Sequence, residues 1–354
     1  MFSPFSHLKM EIYGASHAEK IGVKISNLPI GENIDLKNIQ EFVDRRKATN
    51  SPWSTPRKEE DKVIFLKGID NGKITDDIEA CIFNENKKSS DYLPYKNTPR
   101  PSHADFVAIC KDKENVDLAG GGRFSGRMTA PICIAGSIAK QLLSKKGIKV
   151  IGYTKRIGNV ESIGYGDTQI TEDNISNNPP YALTNNELMI EEVIKARDNN
   201  DSVGGQIECL VLNTPIGLGD NLFDGLESRI SALLFGIPAV KAVEFGLGTK
   251  FANSLGSVVN DPFMYDKNGK IVTKTNNNGG INGGISNGMP IAVRVTFKPT
   301  PSISKEQDSV NLETKENTKI IIKGRHDACI VPRAIPVVES CLALAILDCM
   351  LENE

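Results

Sequence analysis

The sequence predicts an α+β fold, and three observations carry the prediction. Short stretches that alternate apolar and polar residues are joined by glycine- and asparagine-rich turns, as in antiparallel hairpins. Helical patterns are interleaved with them rather than strictly alternating, which argues against a doubly wound sheet. The glycine-rich segment from 119 to 126 fits neither G-x-G-x-x-G nor G-x-x-x-x-G-K-[ST], so a dinucleotide-binding or P-loop reading fails on the pattern itself.

Along the chain, Leu8, Met10 and Ile12 alternate as a half-buried strand, and "IGVKISNLP" continues in extended style after "GASHAEK", which places His17 on the connection between two strands. "PSHADFVAIC" reads as a helix start, with Ser102 as N-cap, Asp105 as its capping-box partner and His103 in the first turn. A triple-glycine loop then leads into a helix ending in lysines and Gly147, followed by strand-like "IKVIGY". "GGQIECLVLNTPIGLG" alternates like a strand, and Leu226, Ile230, Leu233 and Leu234 have helical spacing. A second cluster, "NNNGGINGGISNGMP", precedes the strand "IAVRVTF" and the turn "KPTPSI". The apolar run from Ala334 to Leu351 contains Pro336, Glu339 and Asp348, which points to a buried helix rather than a membrane span. Two polar stretches, 84–102 and 169–187, read as surface excursions.

Acidic and basic residues nearly cancel to a net charge of −2. No summed field would draw the protein to nucleic acid or an acidic membrane, so anion binding has to be local. Seven cysteines in mostly apolar surroundings, with no C-x-x-C pair, suit reduced thiols in a cytoplasmic protein better than a disulfide framework or a zinc site. No basic stretch followed by an apolar one opens the sequence, and no signal peptide is expected.

Of four histidines, His7 lies near the terminus, while His17, His103 and His326 occupy glycine-, proline- or charge-rich corners. A histidine on such a loop can move a proton near neutral pH. Ion pairing is the ordinary role of any one arginine, but Arg45, Arg46, Arg100, Arg123, Arg127, Arg325 and Arg333 flank these same corners. Together with backbone-rich glycine loops they suit a ligand carrying phosphate and carboxylate groups. No histidine spacing supports a metal site.

From about Leu8 to Leu351 the chain resembles the chorismate synthase family. The resemblance is carried by "GASHAEKIGV", "RPSHADF", "GGGRFSGRMTAP", "DSVGGQIECLVLNTPIGLG", "IPAVKAVEFG", "NNNGGINGGISNGMPIAVRVTFKPTPSI" and "GRHDACIVPRAIPVVE", in the family's order. It implies a lyase of the shikimate pathway that converts 5-enolpyruvylshikimate 3-phosphate to chorismate and phosphate. Reduced FMN would be needed without net redox change. It further implies one large domain over 1–354, helices sandwiched with antiparallel sheets, assembled as a homotetramer. Because no G-x-G-x-x-G fingerprint accompanies it, NADPH would be used through an external flavin reductant rather than by this chain.

Carried over by motif, the resemblance implies His17 as the acid near the departing phosphate, His103 as the group that protonates and steadies the flavin, and Asp327 as partner of the flavin's N5 in removing a ring proton. Flavin contacts would come from Arg123, Phe124, Ser125, Pro238, Ala239 and Gly283. The turn Lys298, Pro299, Thr300, Pro301, Ser302 and the guanidinium of Arg325 would complete them. Arg46, Arg100 and Ser16 would meet the substrate. The chain departs from the family pattern at Ala15, Ala18, Ala48, Thr49, Pro52, Ser102 and Ala328, and the changes at Ala15, Ala18 and Pro52 raise the alternative of a flavin- or phosphate-binding paralogue without turnover.

Overall fold

The computed structural model describes residues 5–47, 60–84, 97–113, 119–322 and 326–353. A four-stranded antiparallel sheet is built from β1 (Lys9–Gly14), β2 (Lys20–Ser26), β3 (Ile64–Asp70) and β4 (Lys73–Phe83) in the order β1-β2-β4-β3. Alternation sets its inner face: Ile21, Val23 and Ile25 of β2 meet Ile78, Ala80 and Ile82 of β4, all buried.

The second sheet has β5 (Lys149–Ile157), β6 (Val160–Glu161), β7 (Gly205–Leu212), β8 (Val240–Phe245) and β13 (Ile291–Phe297), ordered β6-β5-β7-β13-β8 and antiparallel throughout. Small hairpins pair β9 (Phe263–Tyr265) with β10 (Ile271–Thr273), β11 (Ile281–Asn282) with β12 (Ile285–Ser286), and β14 (Glu306–Asn311) with β15 (Glu316–Ile321).

Two long helices fill the space between the sheets. α3 (Ala130–Lys145) packs on β2 and β4, and α7 (Val331–Glu352) packs on β5 and β7. They also pack on each other, closely enough that a Cβ added at Gly136 would stand 2.1 Å from the Cβ of Ser340. Glycine at 136 therefore sets the spacing of the central layer. α1 (Leu36–Asp44) lies against α3, and α5 (Leu226–Phe235) against α7 and β8, while α2 (Asp105–Asp112), α4 (Asn186–Asp198) and the single turn α6 (Gly256–Val259) lie peripherally. The architecture is α+β, with helices sandwiched between antiparallel sheets, as the sequence predicts. α7 is apolar and long enough to cross a membrane by length and composition, but 89% of that stretch is buried inside the protein.

Two local expectations are corrected. α2 starts at Asp105 with Ala104 at its N-cap and no side-chain cap; Ser102 and His103 lie in the preceding turn, with Ser102 at φ +58°. Asp105 is turned instead toward Arg100 and His103, whose charge-assisted bonds outcompete a capping interaction. The stretch 169–187 is also no mere excursion, because Ile170 and Ala182 are buried, and Ile170 packs beside Tyr153 and Leu210 on the outer face of the second sheet. The stretch 84–102 lies mostly outside the described residues.

Candidate active site

The turn joining β1 to β2 carries Ser16 and His17. Its shape is fixed from outside: the Asn84 amide at the end of β4 donates to the carbonyls of Ala15, 3.2 Å, and Ala18, 2.9 Å. Neither alanine adopts a left-handed φ, so the exchanges at 15 and 18 leave an ordinary backbone. Ser16 N–H donates to Gly122 O at 3.3 Å, which ties this turn to the glycine loop ahead of α3. Gly121 and Gly122 have φ +84° and +52°, conformations open to glycine.

An arginine cluster adjoins the turn. Arg127 donates to Asn84 Oδ1 at 3.0 Å and pairs with Asp61; Arg46, 7% exposed, lies 3.9 Å from the same carboxylate and donates to Gly126 O at 3.1 Å. Arg333, at the start of α7, donates to Arg46 O at 2.8 Å and pairs with Asp327. Burial, together with the Arg333 and Arg127 charges, lowers the pKa of Arg46 despite the Asp61 charge. Among the described residues this cluster sets three guanidiniums against two carboxylates, a surplus of positive charge in a largely dry place.

His103 stands on the other side of the glycine loop. Its Nδ1 is 2.7 Å from Asp105 Oδ1, and a Cβ built at Gly121 would be 3.7 Å from its Nε2. Arg100 holds Asp105 through Nε at 2.7 Å and a terminal nitrogen at 2.8 Å, and reaches Ser302 Oγ at 3.3 Å. Burial and then the Arg100 charge lower the pKa of His326, against the Asp327 charge and a hydrogen bond to the Ile322 main chain. His17, His103, Asp327, Arg46, Arg100, Ser16 and Ser302 are thus brought to one end of the sandwich.

The other residues expected to meet flavin divide. Lys298 donates to Ser102 O at 2.5 Å and its N–H to Ala239 O at 3.0 Å, which links the 298–302 turn, with Pro299 and Pro301, to Pro238 and Ala239. Ala239 takes a left-handed φ of +74°. Ser125 accepts from Arg127 N–H at 3.3 Å. Arg123, 55% exposed, pairs with Asp112 at 2.5 Å and lies over the Phe124 ring. Gly283 sits in the β11–β12 turn, whose hydrogen bonds run to Leu226 and Leu218 rather than to the arginines. Arg325 lies outside the described residues, as do Ala48, Thr49 and Pro52. Asp61 and Asn84 went unrecognised as site residues in the sequence because each works through a tertiary contact that no local motif marks, whereas Asp105, whose partners Arg100 and His103 are close in sequence, reads there as a cap.

Whether these residues suit a flavin phosphate and a phosphorylated substrate can be tested on the polar atoms. Thr300 Oγ1, His326 Nε2 and Arg46 Nε are buried and have no hydrogen-bond partner among the described residues. Buried polar atoms without partners are rare, and the unpaired Arg46 Nε–H, a donor within the cationic surplus, fits an anionic ligand. Cavities of about 410 and 430 Å³ open elsewhere, one beside Arg45, Lys140 and Glu339 and one beside Tyr165 and Lys270. Neither is lined by His17, His103 or Asp327.

Comparison with known proteins gives a consistent result. The family model described as chorismate synthase matches residues 8–351. The chain is 44% identical to the chorismate synthase of Methanocaldococcus jannaschii, over 98% of this chain and 95% of that protein. It is 42% identical to that of Thermococcus gammatolerans, over 98% and 97%, and 44% identical to that of Dehalococcoides mccartyi, over 95% and 93%. A crystal structure of chorismate synthase superimposes with a TM-score of 0.72 at 24% identity, covering 99% of this chain and 93% of that one, a likeness of fold.

Proposed function

The chain belongs to the chorismate synthase family and is a lyase of the shikimate pathway, and from that premise we propose which of its residues carry the reaction and how. The substrate is 5-enolpyruvylshikimate 3-phosphate, which loses phosphate and a ring proton in an anti-1,4-elimination to give chorismate. The observation that supports this reading is that the His17 turn and Asp327 both adjoin the cluster of Arg46, Arg127 and Arg333, with His103 across the glycine loop.

Arg46 is our choice to meet the departing phosphate, with Arg127 and Arg333 supplying further field. Fixed cations in a water-poor site stabilise charge as it develops and need no reorganisation. His17, on the adjoining turn, protonates the leaving group. Asp327, oriented by Arg333, accepts a proton on the opposite side of the cluster. Reduced FMN, when bound, lends electron density transiently as phosphate leaves. Lys298, Thr300, Ser302 and the Gly121–Gly122 backbone would hold it, and His103 would keep a proton beside its ring.

The same reading places the enzyme in the cytoplasm, supplied with reduced flavin by a separate NADPH-using reductase, and assembled as a homotetramer. Phe263 and Tyr265, each 71% exposed on β9, offer apolar surface for such assembly. Turnover of His17→Ala and Asp327→Asn tests the roles. A fall of roughly 10²–10⁴-fold with both ligands still bound is expected for lost acid–base groups. Wild-type turnover in both variants would remove these roles.

A further inference from the structure

We propose that Asp105, itself held by Arg100, is a positioning residue that fixes the His103 imidazole as its Nδ1–H tautomer and so presents Nε2 to the glycine loop. The inference rests on the assignment of His103 above and goes beyond it by naming what orients the ring.

Asp105 is 1% exposed, and its two oxygens are fully used. Oδ2 accepts from Arg100 Nε at 2.7 Å and from the Arg100 main-chain N–H at 3.1 Å; Oδ1 accepts from an Arg100 terminal nitrogen at 2.8 Å. His103 Nδ1 lies 2.7 Å from Oδ1 and 3.1 Å from that same terminal nitrogen. One ring nitrogen cannot both donate to the carboxylate and accept from the guanidinium. The guanidinium already has Oδ1, and the contact to the carboxylate is shorter, so the proton belongs on Nδ1 and is donated to Asp105. Burial alone would raise the Asp105 pKa, but hydrogen bonds and charge from Arg100 and His103 hold it well below the carboxylate range. The acceptor is therefore ionised.

With its one proton on Nδ1, the uncharged form of the ring carries a bare Nε2, on the side where a Cβ at Gly121 would come within 3.7 Å. Whatever occupies the space beside the glycine loop meets a nitrogen able to take a proton, and the resulting imidazolium keeps its ion pair with Asp105. Arg100, expected to bind substrate, also holds Asp105 and reaches Ser302.

Asp105→Asn separates positioning from bulk. Asparagine has one acceptor oxygen, which the Arg100 nitrogens claim. Its amide then faces Nδ1 and forces the proton to Nε2, the wrong-tautomer outcome known for aspartate–histidine pairs. The experiment is histidine ¹⁵N–¹H NMR on the full-length protein at neutral pH, with His103→Ala assigning the signal, beside kcat and KM. Expected are an Nδ1–H tautomer in the wild type, an Nε2–H tautomer in Asp105→Asn, and a kcat lower by roughly 10²–10⁴-fold with KM little changed. A wild-type Nε2–H tautomer, or an unchanged tautomer in Asp105→Asn, overturns the proposal. If Asp105→Asn fails to fold, the wild-type tautomer decides alone. If His103→Ala turns over normally, the assignment of His103 falls, and the tautomers still decide what Asp105 does.

Discussion

Asn84 and Ala18 are joined across the His17 turn, the side-chain amide donating to the main-chain carbonyl at 2.9 Å while also reaching Ala15 and accepting from Arg127. One buried amide therefore couples the turn that carries His17 to the arginine cluster. Asn84→Ala removes all three bonds and keeps every proton-transfer group. Misplacement of a reacting group by about 1 Å costs on the order of 10²-fold in rate. The variant is expected to lose between about 10- and 100-fold in kcat, and about 1–3 kcal/mol of stability from the unsatisfied partners. Steady-state kinetics and urea unfolding check both, and unchanged kcat would mean that the turn holds itself.

Glu339 sits in the central layer, 2% exposed, and accepts from Arg45 at 2.7 and 2.9 Å, from Lys140 at 2.6 Å and from Gly152 N–H at 3.0 Å. Burial alone would raise its pKa, but the charges and hydrogen bonds of Arg45 and Lys140 pull it down to about 2. Because the folded value lies below the unfolded one, near 4.5, the stabilisation is complete above pH 4.5 and is lost as pH falls toward 2. Its size is on the order of 3 kcal/mol. Glu339→Gln should be less stable than the wild type by about 3–5 kcal/mol at pH 7, with the gap narrowing between pH 4.5 and 2. Urea unfolding across that range reads it, and a gap independent of pH would contradict the linkage.

Ser102 holds φ +58° in the turn before His103, pinned by Lys298 on its carbonyl. A non-glycine residue pays about 1–2 kcal/mol for that conformation, against an entropy loss of about 0.5–1 kcal/mol for glycine. Ser102→Gly is therefore expected to stabilise the protein by roughly 0.5–1 kcal/mol. Thermal unfolding measures it, and a lower midpoint would show that the serine hydroxyl contributes more than its backbone costs.

The layers were legible where periodicity was strong. Met10 and Ile12 marked β1, the 119–147 segment marked the turn and α3, and the apolar run after Ala334 marked α7, because each pattern is local. The site was legible only as separate corners. That His17, His103 and Asp327 share one end of the sandwich depends on Ser16 meeting Gly122 and on Arg333 meeting both Arg46 and Asp327, contacts spanning 106, 287 and 6 residues. Ser102 followed by Asp105 mimics a capping box in sequence, but the bidentate bond from Arg100 outweighs a cap, and the local rule gave the wrong role.

The most direct measurement is anaerobic turnover of the purified protein with chemically reduced FMN and 5-enolpyruvylshikimate 3-phosphate, following chorismate absorbance and phosphate release together. Equal amounts of both products, absent when the flavin is oxidised, are the expected result. Demonstrated binding of both ligands with no product would contradict the assignment of His17, His103 and Asp327 to a working elimination site.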